Sequence, residues 1–235
     1  MLRLWIASLC FLASVVQAQD VAEIPDAVRD NVELLIQQGL DDAVGYAFVR
    51  GLTTEVGPRL AGSEAEARAR SWATRELAEL GFANIRSEPF VIPYWSRRVD
   101  RARVVSPAPQ DIVITALGGS TSTPPGGVEA EVIRFESMNE LRAASTDVVT
   151  GKIVFIDEKM TRTQDGSGYG MAVRKRRNCA TTTTAKGGVA CLIRSVGTQA
   201  RRFAHTGMMA RSAAVGDGPA AALSPPDAEQ LTRLL

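Results

Sequence analysis

The chain has 235 residues, 45% of them apolar, with 27 Lys and Arg against 26 Asp and Glu and a single His. Charge this balanced excludes a general attraction to nucleic acid or acidic membranes, and one His excludes a site that draws several imidazoles from this chain alone. The length suffices for one sizeable core or two small ones.

Residues 1–18 read as a secretory signal: Arg3 gives a short positive start, Leu4 to Val16 an apolar stretch, and Val16-Gln17-Ala18 a cleavage site. Cleavage near Ala18 begins the mature chain at Gln19 and implies secretion to a periplasmic or extracellular space. At roughly 13 residues the apolar stretch falls short of the about 20 that span a bilayer. Leu9 before Cys10 makes a poor lipidation box, so no membrane anchor is expected. Loss of Arg3 leaves 26 Lys and Arg against 26 Asp and Glu, a net charge of zero.

From about Ile24 to Leu80 the pattern is helical. Pro25 suits a first helical position, Val28, Val32, Leu35 and Ile36 recur at helical spacing, and Tyr46, Val49, Arg50 and Thr53 continue a second helix after Asp41-Asp42. Gly57-Pro58 sets a turn, and Ser63 with Glu66 forms a capping box for a third helix that closes at Gly81. Asn84 to Ile92 reads as a strand, ended by Pro93.

After Trp95 the texture changes to short β runs between Gly, Pro, Ser and Thr. Strands are predicted at Arg101 to Val105, Ile112 to Leu117, Val128 to Phe135 and Lys152 to Asp157, with a short helix over Ser137 to Ala144. A helix from about Gly170 to Lys186 followed by a strand from Val189 to Ile193 makes one α/β step. Ser224 as N-cap, Pro225 in the first turn and Asp227 at the third position start a last helix that runs to Leu235. The fold class is therefore α/β. Cys179 and Cys191 match no zinc ribbon, and two readings stay open for them: a disulfide in an oxidising compartment, or two small buried residues.

The run Val56 to Ser63, with Trp72, Leu77, Leu80-Gly81-Phe82 and Asn84 behind it, resembles secreted di-zinc exopeptidases of the carboxypeptidase Q type. Thr115 to Ser120, Gly151 to Phe155, Arg162 to Gly170, Arg194 to Thr198 and His205-Thr206-Gly207 continue the resemblance, in the order of that family's protease-associated domain. It covers about Val32 to Leu235. The resemblance implies an incomplete N-terminal portion of the peptidase domain over 19–96 and a protease-associated α/β insert over 97–235, its C-terminal end incomplete. It further implies two zinc ions and a peptide substrate for the full-length parent, and it leaves room for a homodimer.

Di-zinc hydrolases activate water with several His and carboxylate ligands and a Glu base. In the family that set begins with Gly-Gly-His-x-Asp after the insert, and no such stretch occurs before Leu235. No catalytic or metal residue is therefore assigned, substrate-binding residues are unknown, and no zinc is expected on this chain. Loop and cap roles are expected of Asp157-Glu158 and Asp41-Asp42, and a structural hydrogen-bonded role of His205, with a cleft-facing role as its alternative. Asp165 to Gly170 lacks the terminal Gly-Lys-Ser/Thr of a phosphate loop and reads as a flexible turn. Ser63, Ser167 and Ser195 lack the setting of a nucleophile. The basic run Arg174-Lys175-Arg176-Arg177 reads as a solvated helix face rather than a nucleic-acid patch.

Two functions compete. In the first the chain is the N-terminal fragment of a secreted zinc exopeptidase acting on small peptides and is inactive by itself. In the second it is a non-catalytic protease-associated module for peptides or a partner subunit.

Overall fold

The computed structural model describes residues 23–210 and 218–235; the signal at 1–18, Cys10 and the start at Gln19 lie outside the described residues. The chain divides into two units, Met1–Pro89 and Phe90–Leu235.

In the first unit, α1 spans Asp26–Asp41, with Asp26 in its first turn where the helix dipole favours a carboxylate. Pro25 stands one residue earlier than expected, at the N-cap. The stripe Val28, Val32, Leu35 and Ile36 forms as the spacing predicts, yet all four side chains are exposed. α2, Val44–Gly51, runs into a π-helical turn, Leu52–Val56. Thr53 Oγ1 donates there to the Val49 carbonyl at 2.9 Å. α3, Glu64–Glu79, packs back through Trp72, which is buried and meets Phe48 edge-to-face at 4.7 Å. Gly51 permits this approach, because a Cβ there would lie 2.7 Å from Trp72 Cζ2.

Both ends of α3 follow from its sequence. Ser63 Oγ accepts from the Glu66 N–H at 3.2 Å. The return half of the box is absent, since Glu66 turns to Arg70 at 2.8 Å. At the other end Gly81 has φ 84°, and the bonds from Phe82 N–H to Leu77 O and from Gly81 N–H to Ala78 O, both 3.0 Å, form a Schellman stop. The strand expected over Asn84 to Ile92 does not form. No described segment pairs with it, and a strand exists only through its partner; Asn84 itself is left-handed, with φ 59°.

The second unit is an α/β fold. β1, Ala102–Val104, and β2, Gln110–Ile112, make an antiparallel pair. A five-stranded mixed sheet follows, built from β3 (Ile114–Ala116), β4 (Val132–Phe135), β5 (Ile153–Ile156), β6 (Ala190–Arg194) and β7 (Ala220–Leu223) in the order β3-β7-β6-β5-β4. β3 is antiparallel to β7, and the other pairings are parallel. The single strand expected over Ile112 to Leu117 is two. Val113 between them gives its N–H to Asp227 Oδ2 at 3.1 Å and takes the Ser224 N–H at 3.0 Å, so its backbone serves a helix cap instead of a ladder. The run from Val128 joins the sheet only at Val132.

Period-two alternation splits the sheet into two apolar layers. Val154, Ile156, Cys191, Ile193, Ala220 and Ala222 face one layer, with Met138 and Leu141 of α4 (Met138–Ala143), Val149 of α5 (Thr146–Val149), and Cys179 and Ala180 of α6 (Ser167–Ala185). Phe155, Leu192 and Leu223 face the other, with Ala228 and Leu231 of α7 (Pro225–Leu234) and the β1–β2 pair. α6 starts at Ser167, three residues before the expected Gly170. A disulfide joins Cys179 of α6 to Cys191 of β6, with Cα atoms 6.1 Å apart, and both cysteines are also buried, so the two readings of the pair combine.

Candidate functional site

The register of the parallel strands pairs Ile156 with Ile193, so the next residues, Asp157 and Arg194, stand side by side at the carboxyl ends of β5 and β6. This is where open α/β sheets place ligands. Asp157 is buried; its Oδ2 accepts from Arg134 Nε at 2.7 Å and Thr232 Oγ1 at 2.8 Å, and its Oδ1 from Arg194 Nε at 2.6 Å. Arg194 Nη2 also touches Asp157, and its Nη1 meets Glu229 at 3.1 Å, which Lys159 holds at 2.8 Å. Burial pushes the Asp157 carboxyl up, but the hydrogen bonds from Arg134, Thr232 and Arg194 outweigh it and hold the group below its usual range. Every oxygen of this carboxylate is committed. The arrangement fastens α7 to the sheet and leaves no free base.

Lys175 lies inside α6, fully buried, with its ammonium donating to the Glu158 carbonyl. Burial lowers its pKa to about 8, against the opposing pull of Glu158 and Asp157. A lysine whose folded pKa lies below its ordinary 10.5 binds fewer protons folded than unfolded between those values. Stability is therefore expected to rise as pH goes from about 8 to 10.5. Urea midpoints across that window should show the rise, and Lys175→Met should remove it.

The basic run is thus not one solvated face. Arg174 and Arg177 are exposed, Lys175 is core, and Arg176 is half-buried against Tyr169, donating to its hydroxyl at 2.9 Å. The cap role expected at Asp157 is also replaced by an ion-pair hub, while Glu158 contributes its carbonyl. Asp42 Oδ1 accepts from Val44 N–H at 2.6 Å at the start of α2, and Asp41 accepts from Gln37 at 3.2 Å.

His205 is exposed and makes no hydrogen bond among the described residues, contrary to the role expected of it. Its neighbour Thr206 makes the structural bond, donating to the Ala116 carbonyl at 2.9 Å. Ser63 is an N-cap, Ser167 is tied to Asp165 at 2.8 Å, and Ser195 is buried, donating to the Leu223 carbonyl at 2.6 Å. The loop from Asp165 to Gly170 is an ordered start of α6, and Gly168 is required there because a Cβ would collide with the Thr161 carbonyl. Sequence reasoning missed Arg194, Arg134, Thr232, Glu229 and Lys175. The available signal was an apolar run ending in Asp157 and another ending in Arg194, opposite charges at matching strand ends.

On the α7 face, toward the amino ends of the strands, the sheet is uncovered along a groove of about 2100 Å³. Ile153, Ala190 and Leu192 line it, with Arg101 and Arg103 of β1 and its flank on one side and the stretch Val128 to Arg134 on another. Among the described residues, no three His, Cys, Asp or Glu side chains group to hold a metal ion. No helix among them is long and apolar enough to cross a membrane.

No protein-family model matches the sequence. Carboxypeptidase Q of Bos taurus is 32% identical over 216 residues, covering 92% of this chain and 44% of the relative. Carboxypeptidase Q of Homo sapiens is 30% identical with the same coverage. The crystal structure of a peptidase M28 precursor from Shewanella amazonensis SB2B superposes with a TM-score of 0.84 at 42% identity, covering 89% of this chain and 47% of that one. A zinc aminopeptidase from Bacillus subtilis shares the fold, with a TM-score of 0.52 at 21% identity and coverage of 80% and 40%.

In fold and in sequence the chain is similar to a peptidase of the M28 type. It is a homologue of carboxypeptidase Q, and it spans about half the length of the relatives it matches.

Proposed function

We propose that this chain is the N-terminal portion of a secreted, zinc-dependent exopeptidase acting on small peptides. In this reading residues 19–96 belong to the peptidase domain and residues 97–235 form a protease-associated domain. The zinc ligands and the catalytic base come from residues outside these 235. The observation that carries the reading is the match to the M28 peptidase over 89% of this chain but 47% of that structure. A catalytic zinc needs three protein ligands and an open position. The described residues hold no such group and do not fit the metal, so no zinc-dependent step is assigned to them.

The open groove favours a second reading, a binding module for peptides or a partner subunit without catalysis. The peptidase reading is tested with the isolated chain, which is expected to hydrolyse no dipeptide after incubation with zinc. Turnover abolished by a chelator would contradict the placement of the ligands elsewhere.

A further inference from the structure

The two edges of the five-stranded sheet are finished differently. β3 is three residues long, and the outward groups of its Ala116 are occupied: Asp100 accepts from the N–H at 2.9 Å, while Arg97 and Thr206 donate to the carbonyl, each at 2.9 Å. Such capping blunts an edge against strand pairing. On β4 the Ile153 N–H reaches the Glu131 carbonyl at 2.9 Å and the Asp157 N–H reaches that of Phe135 at 2.8 Å. Glu131, Ile133 and Phe135 thus turn their backbone toward β5. By alternation Val132 and Arg134 turn their N–H and C=O groups outward, where no described residue pairs with them.

Charge marks this edge as well. Glu129 is exposed and makes no ion pair among the described residues. Glu131 has only a contact of 3.4 Å with Lys152, and Glu136 one of 3.4 Å with Arg134. Arg134 is itself committed to the buried Asp157. The rim therefore carries surplus negative charge, and Glu129 and Glu131, two residues apart, share one face of the extended chain.

We propose that the outer edge of β4 binds an extended peptide as an additional strand, and that this peptide carries Lys or Arg at alternate positions opposite Glu129 and Glu131. Main-chain bonds to Val132 and Arg134 would hold it, and the alternate cations would select it. A second copy of the chain is a poorer occupant, because its β4 edge carries the same surplus of negative charge. The site is separate from the peptidase chemistry proposed above and does not depend on it.

The test is fluorescence anisotropy with the full chain and a dye-labelled peptide alternating Lys with Thr or Val. Two control peptides accompany it, one with Glu for every Lys and one N-methylated at alternate amides. Binding of the Lys peptide is expected to weaken about tenfold on N-methylation, on Glu129→Lys and on Val132→Pro, and to be lost with the Glu peptide. Val132→Pro removes an outward N–H and no ladder bond. Should that variant fail to fold, the methylated peptide and Glu129→Lys decide. Equal binding of methylated and unmethylated peptides, a preference for the Glu peptide, or no binding of the Lys peptide would each overturn the proposal.

Discussion

Replacing Asp157 with Ala is expected to lower the unfolding free energy by about 3–5 kcal/mol, the cost of breaking a buried ion pair from one side. The Arg194 side chain is 5% exposed, and Asp157 takes its Nε at 2.6 Å together with Arg134 at 2.7 Å and Thr232 at 2.8 Å. Removing the carboxylate leaves the buried Arg194 guanidinium with the half-exposed Glu229 as its counter-charge and frees α7 from its attachment to β5. Asp157→Asn keeps the volume and an acceptor, so its loss should be smaller. The double variant Asp157→Ala with Arg194→Met should recover much of the single variant's loss, because it removes the buried guanidinium as well. Urea unfolding at neutral pH reads all three. A loss below about 1 kcal/mol for Asp157→Ala would place the pair among weak surface ion pairs.

The same carboxylate sets an acid limb. Its folded pKa lies below the ordinary 3.8, so its contribution is complete above about pH 4 and is lost as pH falls through the lower folded value. Asp157→Ala should flatten that part of the stability profile.

Replacing Cys179 and Cys191 together by Ala is expected to cost about 3 kcal/mol. The two cysteines are 12 residues apart in sequence. Chain entropy assigns roughly 3 kcal/mol to a cross-link closing a loop near 15 residues. Both sulfurs also sit in the apolar layer between α6 and the sheet, so Ala leaves a small void in addition. A reductant should lower the wild-type urea midpoint and leave that of the double variant unchanged. Two free thiols titrated in the denatured chain without reductant would contradict the bond.

Where local chemistry decides structure, the residues announce it. The stripe of α1, the Ser63 cap and Schellman stop of α3, and the Ser224-Pro225-Asp227 start of α7 each rest on neighbours within a few positions. β7 escaped notice because Ala220-Ala221-Ala222 carries none of the β-branched or aromatic residues that mark strands. Its four residues are nonetheless all buried, pinned between β3 and β6. Asn84 to Ile92 failed in the opposite sense, having strand composition but no partner among the described residues. The ion-pair hub was illegible for a related reason. Asp157 and Arg194 are 37 residues apart, and only the strand register brings them together. Lys175 looked like its basic neighbours, and helix phase alone turns it inward.

Homology covers most of this chain and about half of its relatives, while the chain's single histidine is exposed. The proposed reading puts the metal chemistry outside the 235 residues. The direct measurement is zinc content of the purified chain by mass spectrometry after zinc loading and dialysis, paired with dipeptide hydrolysis on the same sample. The prediction is no stoichiometric zinc and no hydrolysis above buffer. One or two tightly held zinc ions per chain, with turnover that a chelator abolishes, would contradict it.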